Sequence, residues 1–263
     1  MLIEQMLGAT KRAGVPIRRS FLQTPPGVLN ADGTRAALLR KFARDTTALD
    51  CYLWISAMAS ASEPYDSYYP ASSWAQVAGL TEHAELDAAR ARWAKATSKL
   101  VALKLIKRVR KGADNKMRYA LLREDGSGDE YTRPTKATDG HWFVIPHLYW
   151  IDGWDRRLEP AEKLVLLVAL DQQAGFNISP QRMPNYYGLS ESTAKRGYTG
   201  LVGHGILTRE DRYAVSAKSP TGWRHDVLYT AAGEWSVEAR SKAMRKRPAP
   251  KFTPTDSGEE EES

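Results

Sequence analysis

The chain has 263 residues, 42% of them hydrophobic, and a net charge of +7. That length suits two domains of ordinary size, and that hydrophobic content supports packed cores, which excludes a chain disordered throughout. The single cysteine, Cys51, sits in the apolar run ALDCYLWISAM and reads as a buried small side chain, which argues against disulfides and thiolate metal sites. The longest apolar run, Leu164 to Leu170, is too short to span a bilayer, and no signal-peptide pattern opens the chain. A cytoplasmic location away from membranes is expected.

In chain order, residues 1–33 read as an N-terminal leader or arm, with a strand in VPIRRSFLQ and turns at PPG and DG. Helices are expected from Thr34 into Phe42 and from Thr46 to Ala59. SEPYDSYYPAS reads as a loop holding a short strand. Ser72 is the expected N-cap of a short helix that Gly79 stops. A long helix from Ala84 to Ala102 leads into a hairpin, Leu105–Arg110 and Met117–Leu122, turning at residues 111–115. Residues 124–140 read as a polar linker.

The second half opens with the aromatic stretch HWFVIPHLYWIDGW, read as a strand with its docking turn. Leu158 to Leu170 is an apolar helix with Pro160 near its start. Phe176 to Ile178 suits a short strand. Ser179 is expected to cap a helix that Gly188 ends, and Leu189 to Val202 forms the next. Ile206–Arg209 and Trp223–Tyr229 suit a second hairpin. From Val237 the tail is first basic and then acidic, with too little apolar surface to fold alone.

Two segments repeat at an offset of 101 residues: SKLVALKLIKRVRKGADNKMRYALL from Ser98 and TGLVGHGILTREDRYAVS from Thr199. Each reads as the end of an amphipathic helix, a sharp turn and a hairpin. The expected fold is mainly α with small β-hairpins (α+β): a domain over 34–123, a linker over 124–140, a second domain over 141–236 and a disordered tail over 237–263.

The excess charge is confined to one end. Residues 1–125 hold 20 Lys and Arg against 12 Asp and Glu, a net +8, whereas residues 141–236 hold 10 of each. A polyanion should meet the first half. On the long helix, Leu86, Ala89, Trp93, Ala96, Leu100 and Leu103 share the core face. The outward face then carries Arg90, Ala91, Ala94, Lys95, Ser98 and Lys99. In the second copy it carries Ser192, Lys195, Arg196 and Thr199. Small residues permit close approach to a major groove, cations can donate to guanine, and hydroxyls serve base or phosphate. The first hairpin adds Lys107, Arg108, Arg110, Lys111, Lys116 and Arg118 as phosphate contacts. Strand alternation sends Lys107 and Lys111 one way and Arg108 and Arg110 the other. The second hairpin mixes Arg209 and Arg212 with Glu210 and Asp211, so its affinity for DNA should be weaker.

Residues 46–122 and 159–230 both resemble winged helix-turn-helix domains, covering about 150 of the 263 residues. GLSESTAKRGYTGLVGHGIL follows the family's spacing from Gly188 to Leu201. The first copy departs, with eight more residues between Gly79 and Leu100. Either its recognition helix is extended or LTEHAELD forms an extra loop. The tandem arrangement is similar to bacterial mobile-element regulators and plasmid replication initiators.

The resemblance implies a sequence-specific binder of double-stranded DNA, not an enzyme, with no cofactor and no metal. A transcriptional regulator is the leading expectation, its recognition helices entering successive major grooves about 34 Å apart. A replication initiator of a plasmid, phage or integrated element is an alternative. A winged-helix docking subunit of a chromosome-organising complex is another. A second copy or another protein is a candidate partner for the second domain or the acidic tail.

Other motifs carry less. Gly200, Gly203 and Gly205 follow a helix where a phosphate loop would open one. His83, His141, His147, His204 and His225 lack ligand spacing. Trp142, Trp150, Trp154 and Tyr149 suit a core or domain interface better than a base-stacking platform. RKRP at 245–248 has Lys246 where a minor-groove hook places glycine.

Overall fold

The computed structural model describes residues 2–10, 12–82, 84–111, 116–135, 140–217 and 222–245. Within them, helices are mixed with three small antiparallel sheets. No helix among the described residues is long and apolar enough to cross a membrane.

The first half starts with helix α1 (Leu2–Ala9) and strand β1 (Gly14–Arg18). Strand β1 is buried along its length and pairs antiparallel with β5 (Trp142–Pro146), Val15 opposite Ile145. The leader is therefore no free arm: its apolar residues complete a sheet with the second half. The helix expected over Thr34–Phe42 shrinks to a 3-10 turn, Leu38–Phe42. The backbone before that turn is used elsewhere. The Thr34 N–H donates to Asp32 Oδ1 at 3.0 Å, and the Arg35 N–H donates to the Asn185 carbonyl at 2.7 Å.

Next come α2 (Thr46–Met58), β2 (Asp66–Ser67), α3 (Ala71–Val77), α4 (Leu86–Ala102), β3 (Ile106–Lys111) and β4 (Lys116–Leu121). The sheet order is β2–β4–β3. Asp45 caps α2 by accepting the Ala48 N–H at 3.1 Å. Helix α3 takes its first bond on the Pro70 carbonyl, so Ser72 lies inside the first turn and is not the cap. Residues 112–115, where the hairpin turn was expected, lie outside the described residues, as does His83.

The second half repeats that order. After α5 (Leu148–Ile151) and α6 (Trp154–Arg157) come α7 (Pro160–Leu170), α8 (Met183–Tyr187), α9 (Glu191–Gly203) and the hairpin β6 (Leu207–Val215) and β7 (Trp223–Ala231). Phe176 bridges Tyr229 in β7, the place that β2 takes beside β4. Ser179 precedes a 3-10 turn, Pro180–Arg182, without a side-chain cap bond. The extra length of the first copy is shared between both alternatives: turns over 78–82 lengthen the connection from α3 to α4, and α4 spans 17 residues against 13 in α9.

The two helix exits match atom for atom. The Leu105 N–H donates to the Leu100 carbonyl, and the Ile206 N–H donates to the Leu201 carbonyl, both at 3.0 Å. Lys104 and Gly205 occupy the same left-handed position, at φ 55° and 69°. The sequence repeat is thus a repeat of one turn.

The halves share a core. Helices α2 and α7 are buried on nearly every face. Between them Lys163 Nζ reaches Asp50 Oδ2 at 2.7 Å, and Trp54 packs on Trp150 at 5.6 Å. Tyr149 and Trp150 are core residues. In the first half Trp74 and Trp93 stack at 5.0 Å, and the Trp93 indole N–H donates to Tyr119 Oη at 2.9 Å. Leu86 departs from its expected core place and is 42% exposed, because α4 begins there, clear of the body.

The described parts of two segments expected to hang free are packed or folded. In the expected linker, Glu124 is buried and pairs with buried Arg18 at 2.7 Å, and Tyr131 is buried beside it. Of the expected disordered tail, Val237–Arg245 forms helix α10, with Ser236 Oγ accepting the Ala239 N–H at 3.1 Å. Residues 136–139 and 246–263 lie outside the described residues, including most of RKRP.

Candidate nucleic-acid interface

Helix α4 stands against the Trp74–Tyr119 cluster through Ala89, Trp93, Ala96, Thr97 and Leu100, all buried. The 3.6-residue period then forces Ala91, Ala94, Lys95 and Ser98 outward, and all four are exposed with Arg90 and Arg92. Lys95 and Arg92 have no ion-pair partner among the described residues. Arg90 pairs with Asp87 at 3.1 Å. Lys99 is turned aside: its Nζ donates to Asp45 Oδ2 and to the Lys41 carbonyl, both at 2.9 Å, and sits 5.4 Å from the Phe42 ring centroid. It anchors the start of α2 and is not free for a ligand.

The first hairpin splits its cations, as strand alternation requires. Arg108 folds onto α4, where its Nη2 donates to Ser98 Oγ at 2.9 Å, Thr97 Oγ1 at 2.8 Å and the Ala94 carbonyl at 3.1 Å. Ser98 in turn donates to the Ala94 carbonyl at 2.8 Å. Its hydroxyl is therefore already committed, and the guanidinium joins the outward helix face. Arg110 is exposed and shares this side of the sheet. On the opposite side Lys107 pairs with Glu130 at 2.5 Å, and the Arg118 guanidinium lies 5.6 Å from the Tyr68 ring centroid. Lys111 and Lys116 are register partners at the strand ends.

Sequence reasoning missed part of this surface. Lys41 and Arg44 are exposed beside the α2 N-terminus, and the Lys99 bond to the Lys41 carbonyl brings them next to α4. The run LRKFAR was the available signal. Arg92, Lys95, Arg108, Arg110, Lys41 and Arg44 thus give the first half a cationic surface built from three elements.

The second half is built differently. On α9, Ser192, Lys195, Arg196 and Thr199 are all exposed. Lys195 pairs with Glu191 at 2.7 Å, whereas Arg196 has no ion-pair partner among the described residues. Gly197 and Gly200 face α7: a methyl on Gly197 would meet Val165 and the Ala161 carbonyl, and one on Gly200 would meet Glu162. A cavity of about 440 Å³ opens between α9 and the second hairpin, lined by Lys195, Thr199, Arg209 and His225. Arg209 is the counterpart of Arg108 at the 101-residue offset. It turns to Asp211 at 2.8 Å, so this groove stays open.

Comparison with protein-family models, with curated proteins and with solved structures returns no match. The chemistry of this surface therefore rests on its own geometry.

The second hairpin neutralises itself. Arg212 pairs with Glu210 at 2.7 Å, Arg224 with Asp226 at 2.6 Å, and His225 with Asp211 at 2.7 Å. A hydrogen bond from Arg212 holds the Glu210 carboxyl below its usual range, and hydrogen bonds from Arg209 and then His225 do the same at Asp211. Toward the end of β6, Tyr213 is 67% and Val215 77% exposed.

Proposed function

We propose that the chain is a sequence-specific double-stranded DNA-binding protein made of two winged-helix units, acting as a transcriptional regulator. The observation that carries this reading is the surface of the first half. A helix with an outward face of alanines and cations stands beside a hairpin whose Arg108 guanidinium is laid on that face. Alanines let backbone and groove approach, Lys95 and Arg92 can donate to base edges, and Arg110, Lys41 and Arg44 can meet phosphates. The repeated element order, with the extended segment beside the last strand in both halves, supports the winged-helix assignment.

The second half supports a reduced role on DNA. Arg196 is available on α9, but on the two described strands of the hairpin each arginine pairs with a carboxylate, and Tyr213 and Val215 are exposed. That composition favours a protein contact at the second wing.

The test is fluorescence anisotropy with duplex DNA selected from random fragments. Raising salt should weaken binding with a steep log–log slope, since each neutralised phosphate contributes about −0.9. Arg110→Glu should weaken all sequences alike and flatten the slope. Lys95→Ala should cost about 1–3 kcal/mol at the selected site and relax its selectivity. A flat salt slope, or a Lys95→Ala variant that binds the selected site unchanged, rules the reading out.

A further inference from the structure

Between α10, β5 and the end of α7 lies a cavity of about 460 Å³ that the DNA reading does not use. Its walls are largely apolar, from Phe143, Val144, Leu170, Val237 and Met244. Set into them is Arg240, only 8% exposed. Its Nε donates to the Trp235 carbonyl at 2.9 Å and its Nη1 to the Val144 carbonyl at 3.2 Å. Both acceptors are neutral. Its Nη2 has no hydrogen-bond partner among the described residues, and no carboxylate there forms an ion pair with it.

The one acid on the lining is already matched. Asp171 pairs with Arg19 at 2.8 Å and with His141 at 3.0 Å, and its side chain is fully buried. Arg240 is therefore the cation of the lining that makes no ion pair among the described residues, the Asp171 and Glu238 charges acting on it only from a distance. A buried cation so weakly countered is costly, and burial pulls Arg240 below the usual guanidinium range. An incoming anion would relieve that cost. The apolar walls select what the anion is attached to, and the volume lies within the range of small-molecule sites.

We propose that this cavity binds a small organic carboxylate with an apolar body, the carboxylate against Arg240 and the body against Phe143, Leu170 and Val237. Such a ligand would tie α10 to β5. Because β5 pairs with β1 of the first half, the site adjoins the strand pair that joins the two halves.

The experiment is calorimetric titration of the full chain with benzoate, phenylacetate, 3-phenylpropionate and hexanoate, each beside its primary amide. At least one acid should bind once per chain with a Kd below about 1 mM, and its amide should bind at least tenfold more weakly. Arg240→Gln should bring that acid to the level of its amide. Ser241→Trp, at an exposed position on the lining, should block both, and it carries the test if Arg240→Gln fails to fold. The proposal is overturned if no acid outbinds its amide, or if Ser241→Trp leaves the affinity unchanged. No DNA enters the titration, so its result and that of the DNA reading can fail separately.

Discussion

Lys104 has a left-handed backbone, φ 55°, where the second copy has Gly205 at φ 69°. A side chain there costs roughly 1–2 kcal/mol through the Cβ, and glycine removes that cost. Lys104→Gly should therefore raise the free energy of unfolding by about 0.5–1 kcal/mol in urea titrations, and Gly205→Ala should lower it by a similar amount. If Lys104→Gly destabilises, the turn is held by the lysine side chain and not by backbone preference. At this scale the sequence predicted well which residues point outward on α4 and α9, because helical period alone sets it. It could not tell which cations stay free. Lys99 is claimed by Asp45, 54 positions away, and Arg108 by three oxygens on α4. Such pairings depend on tertiary neighbours that no local pattern encodes.

Among elements, α9 lies close against α7, with Gly197 and Gly200 at the contact. Alanine is a better helix former than glycine by about 1 kcal/mol, yet at Gly197 its methyl would strike Val165 and the Ala161 carbonyl. Overpacking should win, so Gly197→Ala should lower stability by about 1–3 kcal/mol. Gly203→Ala, with open space around it, should be neutral or stabilising. Equal effects in denaturant melts would show that the two helices do not press together here. The long elements were legible because apolar spacing marks α2, α4, α7 and α9, and the repeat marks both helix exits. The leader and the segment after β4 were not. Strand β1 finds its partner β5 some 130 residues downstream, and the 124–135 segment is pinned by buried Glu124 and Tyr131 and by Arg18, which donates to the Thr132 carbonyl at 2.7 Å. A composition rule reads such a stretch as a linker.

Across the whole molecule, the halves are joined over buried charge. Asp50 and Lys163 pair between α2 and α7, and Asp155 lies close by, with its Oδ1 lacking a hydrogen-bond partner. Burial pushes Asp50 up to about 6 and Asp155 up to about 7, with the nearby Asp50 charge adding to the shift at Asp155. Both groups keep a proton in the folded state after the unfolded chain has lost it. The folded state therefore binds more protons between about pH 4 and 7, and stability falls as pH rises through that window. Asp50→Asn would strand the Lys163 cation, so Asp155 is the cleaner test. Asp155→Asn keeps the shape and removes the ionisation. Its gain over the natural chain should be roughly 2–3 kcal/mol larger at pH 8 than at pH 5, at about 1.4 kcal/mol per pH unit spent below the folded value. Guanidinium melts at the two pH values measure it. A gain of the same size at both would mean that Asp155 is already ionised in the folded protein, and that the junction between the halves is wetter than its burial implies.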